Sequence, residues 1–318
     1  MVKVVEFFKN IIEFFIRSIK NSSSKKDNGI YENPIHEWDI SAEIVKMSGE
    51  KYTAKGSVSN TSTFGISSSC DEKYIVKDTY KTKEYYINEL KENNKSLNYF
   101  TQGLHTGELH EPERYYSLIM HEMDDIIPLL YVVGAEFETV KNYVAKYLMV
   151  VKKAAEYYET LSEKLTYNET ILALSLGYLY GIERSEMDWL EEAIVEEKYV
   201  DAVLDIIRNK VFKNVVGTEK DFYFKDKGVF GDGKKAKGEL VDVINTEDKE
   251  VRSRRFAEHL KKVKEKHYLM MLRYYDQVDE DCHLYTGAQS FELTALAKIL
   301  EIDKTQIADS RFIAEDLL

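Results

Sequence analysis

A mainly α fold, a multi-helix bundle, is what this sequence predicts, and three observations predict it. Only 3 Pro and 15 Gly occur in 318 residues. That is too few turn residues for a β-sandwich or barrel, whose chain must reverse every ~8–12 residues. Long stretches step their apolar residues by three and four, the repeat of one helix face. Apolar residues make up 44% of the chain, with 23 Tyr and 14 Phe, so a large core can form and a disordered or collagen-like chain is excluded. The length suits one large or two modest domains.

The first 20 residues read as an amphipathic helix. Their apolar run (Val4, Val5, Phe7, Phe8, Ile11, Ile12, Phe14, Phe15, Ile16, Ile19) is interrupted by Glu6, Lys9, Glu13 and Arg17, which a secretory leader would not tolerate. Lys3, Glu6, Asn10, Glu13, Arg17 and Lys20 form its polar stripe. The first reading docks its apolar face on the protein's own core; the second lays it on a membrane surface. No stretch of about 20 apolar residues predicts a membrane span. Asn21 to Gly29 is Ser-, Lys- and Asn-rich and reads as a linker, so 1–29 is a helix plus linker. Residues 30–78 form a less regular region. Within it Tyr52 to Val58 and Lys73 to Lys77 could pair as a hairpin around the Ser/Thr-rich loop Ser59 to Ser69.

From residue 79 to 318 the pattern is helical, and it divides into N-terminal helices (79–215) and C-terminal helices (216–318). Pro128, inside the apolar run Ile126 to Val133, is expected to kink or end a helix. Phe137, Val140, Val144, Tyr147, Val151, Ala154, Tyr158 and Leu161 fall on one buried face, and so do Phe256, Leu260, Val263, His267, Met270 and Tyr274. Ile171 to Leu179 is apolar nearly all round, as a central helix packed on every side would be. A weak repeat aligns Leu176 to Ser185 with Leu296 to Thr305: a small-residue helix ends, an Ile plugs inward (Ile182, Ile302), and an acidic or hydroxyl residue can cap the next helix.

Motifs for chemistry are weak. Gly228 to Lys235 fits G-x-x-x-x-G-K, but Lys235 stands where a phosphate-binding loop needs Ser or Thr, and no βαβ pattern surrounds it. His121 and Asp125, four apart, share a helix face with Glu122 and Asp124 nearby, but no H-E-x-x-H spacing supplies a third zinc ligand. Cys282 beside His283 lacks a group to orient the imidazole, and Cys70 stands alone. No residue is therefore assigned a catalytic, cofactor-binding or metal-binding role, no cofactor is expected, and the chain is read as a non-enzyme. Two Cys in the whole chain fit a reducing, cytoplasmic setting.

Charge carries more information. The chain has 44 Lys+Arg against 56 Asp+Glu, a formal net charge of −12, which disfavours direct nucleic-acid binding and fits a basic protein partner. Glu183, Glu186, Asp188, Glu191, Glu192, Glu196, Glu197, Asp201 and Asp205 are opposed only by Arg184 and Lys198. Asp276, Asp279, Glu280 and Asp281 form a second acidic cluster, whereas Lys249 to Arg273 is strongly basic. Such acidic faces are either solvated helix surface or electrostatic complements of a protein built to hold phosphates.

The segment Leu284 to Asp303 adds a family. Tyr285, Gly287, Ser290, Phe291, Glu292, Ala295, Ala297, Lys298, Ile299, Leu300 and Asp303 resemble the closing signature of the PoNi family, immunity proteins against PoNe-type polymorphic toxin DNases. Glu84 to Leu90, Tyr115 to Gly134 and Leu172 to Ile182 look similar to that family's N-terminal helices. Ala288-Gln289 replace a usual aromatic pair and Glu301 a usual Gly, so the chain resembles a divergent member. The resemblance implies a cytoplasmic immunity protein that binds a cognate secreted toxin nuclease and occludes its active site. Together with the charge asymmetry it nominates Glu191, Glu192, Glu196, Glu197, Asp276, Asp279, Glu280 and Asp281 as toxin-binding residues. The matched residues themselves read as structure: a Gly turn, a Ser cap and a closely packing helix. Two rivals stand beside this expectation. One is a helical adaptor with a partner that is not a nuclease; the other is an enzyme built around His121, Glu122 and Asp125, which would carry bound metal.

Overall fold

A computed structural model describes residues 38–48, 77–78, 80–106, 114–160, 165–197, 202–213, 233–264, 286–308 and 310–318. Among them are ten α-helices and no strand, a mainly α fold. The chain divides into two units, Met1–Ile35 and His36–Leu318, and the described residues belong to the second. The amphipathic N-terminal helix, the linker and, except for Lys77, the hairpin segments lie outside the described residues.

In chain order the helices are α1 (Ser41–Ser48), α2 (Lys83–Thr106), α3 (Arg114–Val132), α4 (Phe137–Thr160), α5 (Tyr167–Leu179), α6 (Arg184–Glu197), α7 (Ala202–Phe212), α8 (Gly233–Ile244), α9 (Lys249–His259) and α10 (Phe291–Ile299). α9 runs on into a π-helical turn, Leu260–Lys264. α3 packs between α2 and α4, and α5 is covered by α4, α6, α7 and α10. That enclosure is why α5 is apolar all round: Ile171, Ala173, Leu174, Leu176, Gly177 and Leu179 are all buried. On α4 the anticipated face is inside from Val140 through Val144, Tyr147, Val151 and Ala154. Phe137 departs from the expectation. As the first residue of its helix it remains 46% exposed and stacks on Tyr180 with ring centroids 5.2 Å apart. On the later face Phe256 and Leu260 are buried, while His267, Met270 and Tyr274 lie outside the described residues. α3 does not end at Pro128 but continues through it to Val132; α2 and α4 pack on either side of it and hold it together where one backbone donor is missing.

The internal repeat is real at the level of hydrogen bonds. α5 starts on the Thr166/Glu169 capping box, in which the Glu169 N–H donates to Thr166 Oγ1 and the Thr166 N–H to Glu169 Oε2. α10 starts on Ser290, whose Oγ accepts from the Leu293 N–H. Both helices close with the same pair of bonds. In α5 the N–H of Ile182 donates to Gly177 O at 2.9 Å and that of Gly181 to Tyr178 O at 3.3 Å; in α10 the N–H of Ile302 donates to Ala297 O at 3.0 Å and that of Glu301 to Lys298 O at 3.3 Å. This is a Schellman end, which needs a left-handed residue after the helix. Gly181 supplies it at φ +62°, and Glu301 supplies it at φ +52° without being a glycine. Ile182 and Ile302 are both buried behind their turns, as the aligned sequences anticipate. α3 ends the same way at Gly134, φ +81°.

A polar clasp joins segments far apart in sequence. The Lys77 N–H donates to Val132 O at 2.8 Å. Its Nζ lies 3.9 Å over the Tyr131 ring and 2.6 Å from Asp316 Oδ2, and the Tyr131 hydroxyl donates to the same carboxylate. The Ala288 N–H donates to Asp78 Oδ2 at 3.1 Å. Burial works to raise the Asp316 pKa, but the bonds from Lys77 and Tyr131 outweigh it and hold the carboxyl below its usual value.

Glu301 and Gly181 occupy equivalent left-handed positions, so they should respond oppositely to substitution. Glu301→Gly relieves a conformation that costs an L-residue about 1 kcal/mol and is expected to stabilise by up to that amount. Its exposed pair with Lys249, at 3.3 Å, offsets little. Gly181→Ala, with open space around the new Cβ, is expected to cost about 1 kcal/mol through backbone strain alone. Urea unfolding of both variants measures this; changes of the same sign in the two would refute the equivalence.

Candidate functional site

The acidic helix α6 is anchored by Met187, Leu190 and Ile194, all buried at spacings of three and four. Gly177 of α5 lets it approach: a Cβ there would lie 2.2 Å from Met187 Sδ. Around these anchors Glu186, Asp188 and Glu192 of the helix, and Glu183 just ahead of it, are exposed to solvent. Arg184 Nε pairs with Asp188 Oδ1 at 3.2 Å. Trp189 lies half-buried and donates its indole N–H to Glu186 O at 3.0 Å.

The nominated residues fare differently. Glu192 is exposed, but Glu191 is turned against α7. There Arg208 donates from Nε to Glu191 Oε2 at 2.8 Å and from Nη2 to Oε1 at 2.7 Å, with Asp205 Oδ1 3.9 Å from its Nη1. This two-pronged contact fixes α6 on α7 and raises the Arg208 pKa. Glu191 is thus engaged within the chain. Glu196 and Glu197 sit in the last turn of α6; their side chains, and Asp276, Asp279, Glu280 and Asp281 altogether, lie outside the described residues. So do Cys70, Cys282, His283 and the Gly228 to Asp232 part of the glycine loop.

A second polar group stands out on α3, where His121, Glu122, Asp124 and Asp125 interrupt the buried run Met120, Met123, Ile126 and Ile127. At helical spacing the four occupy one arc. His121 Nδ1 lies 3.7 Å from Asp124 Oδ2, and that neighbour raises the imidazole pKa against the opposing effect of burial. Burial, then the charge of Asp125, pushes Glu122 up to about 8, although His121 pulls the other way. Asp125 is pushed up to about 6, again by burial first and then by Asp124 and Glu89. Yet Asp125 is exposed to solvent. Water reaches the carboxylate while protein flanks it, so solvent screens part of its cost.

Beneath the cluster lie Tyr147 and Tyr143 of α4, 0% and 4% exposed; the Tyr147 hydroxyl is paired with the Asp124 carboxyl, while the Tyr143 hydroxyl has no hydrogen-bond partner among the described residues. Both phenol pKa values are raised, by burial first, then by Asp124 for Tyr147 and by Glu122 for Tyr143. Among the described residues no group of three or more His, Cys, Asp or Glu converges as a metal site. The spacing of His121 and Asp125 shows in the sequence. The two tyrosines do not stand out there, because at their positions in the α4 repeat they read only as core.

Glu122 binds its proton more tightly in the folded protein than its ordinary value of 4.5 allows when unfolded. The folded state then holds the extra proton between these values, so stability falls as pH rises from about 4.5 to about 8. Glu122→Gln is expected to flatten this fall and to stabilise the protein at pH 8–9 by on the order of 1–2 kcal/mol after screening. Urea unfolding at intervals from pH 5 to 9 measures it; parallel curves for the two proteins would refute the assignment.

Among the described residues no helix is long and apolar enough to cross a membrane. The chain has the fold of protein PA2201 from Pseudomonas aeruginosa, whose crystal structure superposes with a TM-score of 0.54 at 13% identity, covering 77% of this chain and 89% of that one. No curated protein matches it. Residues 231–317 match the family model for the C-terminal region of PoNe immunity proteins (PoNi). This match falls on the stretch that contains the Leu284 to Asp303 signature, and it supports membership of this chain in the PoNi family.

Proposed function

We propose that this protein is an immunity protein that binds and neutralises a cognate toxin nuclease of the PoNe type. The observation that carries the proposal is the PoNi match over residues 231–317. The net charge of −12 supports a basic partner: a nuclease must present positive charge to hold phosphates, and an acidic inhibitor is drawn to that surface. In this reading the protein acts in the cytoplasm, performs no chemistry itself and works by covering the toxin's active site.

The exposed side of α6 has the chemistry of a steering surface. Glu186, Asp188 and Glu192 are solvated there around the half-buried Trp189, and Glu196 and Glu197 follow on the same helix. Rim charges of this kind act mainly on the association rate and its salt dependence. Glu191 is better assigned to holding α6 on α7. Asp276, Asp279, Glu280 and Asp281 remain part of the proposed contact on sequence grounds.

Co-expression with the toxin encoded beside this gene, followed by co-purification and a DNA-degradation assay, tests the function. A stable complex that silences the nuclease is expected, and the triple variant E192K/E196K/E197K should associate more slowly and with weaker salt dependence. Toxicity that persists with no complex formed would overturn the function. An unaltered association rate in the triple variant would remove α6 from the interface.

A further inference from the structure

Among the described residues, acidic groups that leave bulk solvent are mostly compensated. Glu191 and Asp205 have Arg208, Asp316 has Lys77 and Tyr131, and Asp39 accepts from Ser41, Asn94 and Asn98. The α3 cluster is the exception. Neither the Glu122 nor the Asp125 side chain makes a hydrogen bond or an ion pair among the described residues. The charges acting on them come from each other, Asp124, Glu89 and His121, with no Lys or Arg contributing. Beneath them the hydroxyl of Tyr143, 4% exposed and acted on by Glu122, is buried without a hydrogen-bond partner among the described residues, while Tyr147 pairs with Asp124. A half-buried carboxylate repelled by its acidic neighbours, over an unsatisfied phenol, destabilises a fold on its own. The missing component is a cation.

We propose that the α3 cluster is the receptor for an arginine side chain of the basic partner, an inference that rests on the immunity reading above and locates its docking point. A guanidinium carries five donors in one plane and can serve several acceptors spread along a helix arc. The acceptors here are spread in that way and do not converge as a metal set. The site is also open on the required side, since Asp125 and His121 are exposed while Asp124 and the tyrosines lie deeper. The α6 side then steers the encounter, and the α3 cluster takes the one charge that is desolvated in the complex.

Proton release is the signature of this arrangement. An incoming cation favours the ionised carboxylates, so Glu122 and Asp125 give up protons on binding and affinity rises with pH across about 6 to 8. Among the described residues, the groups acting on the cluster from neighbouring elements are Glu89 of α2 on Asp125, Glu169 of α5 on His121, Tyr143 of α4 beside Glu122, itself acted on by Asp39 ahead of α1, and Tyr147 of α4 beside Asp124. All are acids, and none can replace the cation. His121 is also driven to release its proton.

The experiment is titration calorimetry of the full-length protein with its neighbouring-gene nuclease at pH 7, in two buffers of different ionisation enthalpy. Wild type is compared with E122Q/D125N, whose carboxamides keep the shape of the carboxyls. Wild type is expected to release about one proton per complex, because Glu122 is mostly protonated at this pH. The double variant should release fewer protons than wild type, with only His121 left to give one up, and bind at least about tenfold more weakly. Unchanged affinity and proton release in the double variant would overturn the inference and leave the immunity function standing. A wild-type protein that forms no complex would remove the function itself, and the inference with it. A thermal shift produced by Mg2+ or Ca2+ alone in wild type and absent from the double variant would make the cluster a metal site and overturn the arginine assignment.

Discussion

The enclosure of α5 is the constraint on which the rest of this structure depends. A helix covered by four others must start and stop at fixed points, and the orphan donors and acceptors of its first and last turns are met within the chain although Thr166 and Gly181 are themselves exposed. The Thr166/Glu169 box does this at one end and the Gly181 turn at the other. α10, which packs against α5, meets the same demand with Ser290 and Glu301. One solution used twice closes both helices alike and directs Ile182 and Ile302 back into the core.

Around this centre the chain handles its charges in two ways. Where an acid serves the architecture it is paired: Arg208 holds Glu191 and Asp205, and Lys77 with Tyr131 holds Asp316. On α3 the acids are left to repel one another above Tyr143, whose hydroxyl is unsatisfied among the described residues. Natural folds carry such local conflicts chiefly where a partner resolves them. The contrast between these two treatments distinguishes the α3 cluster from the more acidic but largely solvated α6.

Much of the fold was legible in the sequence because it follows from periodicity. The buried face of α4, the all-round burial of α5 and the paired helix ends of the repeat each rest on spacing that a straight helix must convert into position. Phe137 fits that spacing and is nonetheless exposed, because the first turn of a helix projects beyond the neighbours that cover its middle. Pro128 removes a donor, a local effect that flanking helices can override. The candidate site was less legible. Four ionisable residues within five positions of an apolar helix could be seen, but Tyr143 and Tyr147 could not be linked to them, since they come from another helix at positions that read only as core.

The sequence by itself determined the helical class, the family resemblance of its C-terminal segment and the acidic balance that points to a basic partner. These depend on composition and on local period. Only the tertiary structure decided which acids are available. Glu191 and Glu192 are neighbours of the same type, yet one is committed to Arg208 on α7 and the other faces solvent. Electrostatic energy depends on distance and on solvent access, both set by packing between helices, and neither is contained in the order of residues along one of them.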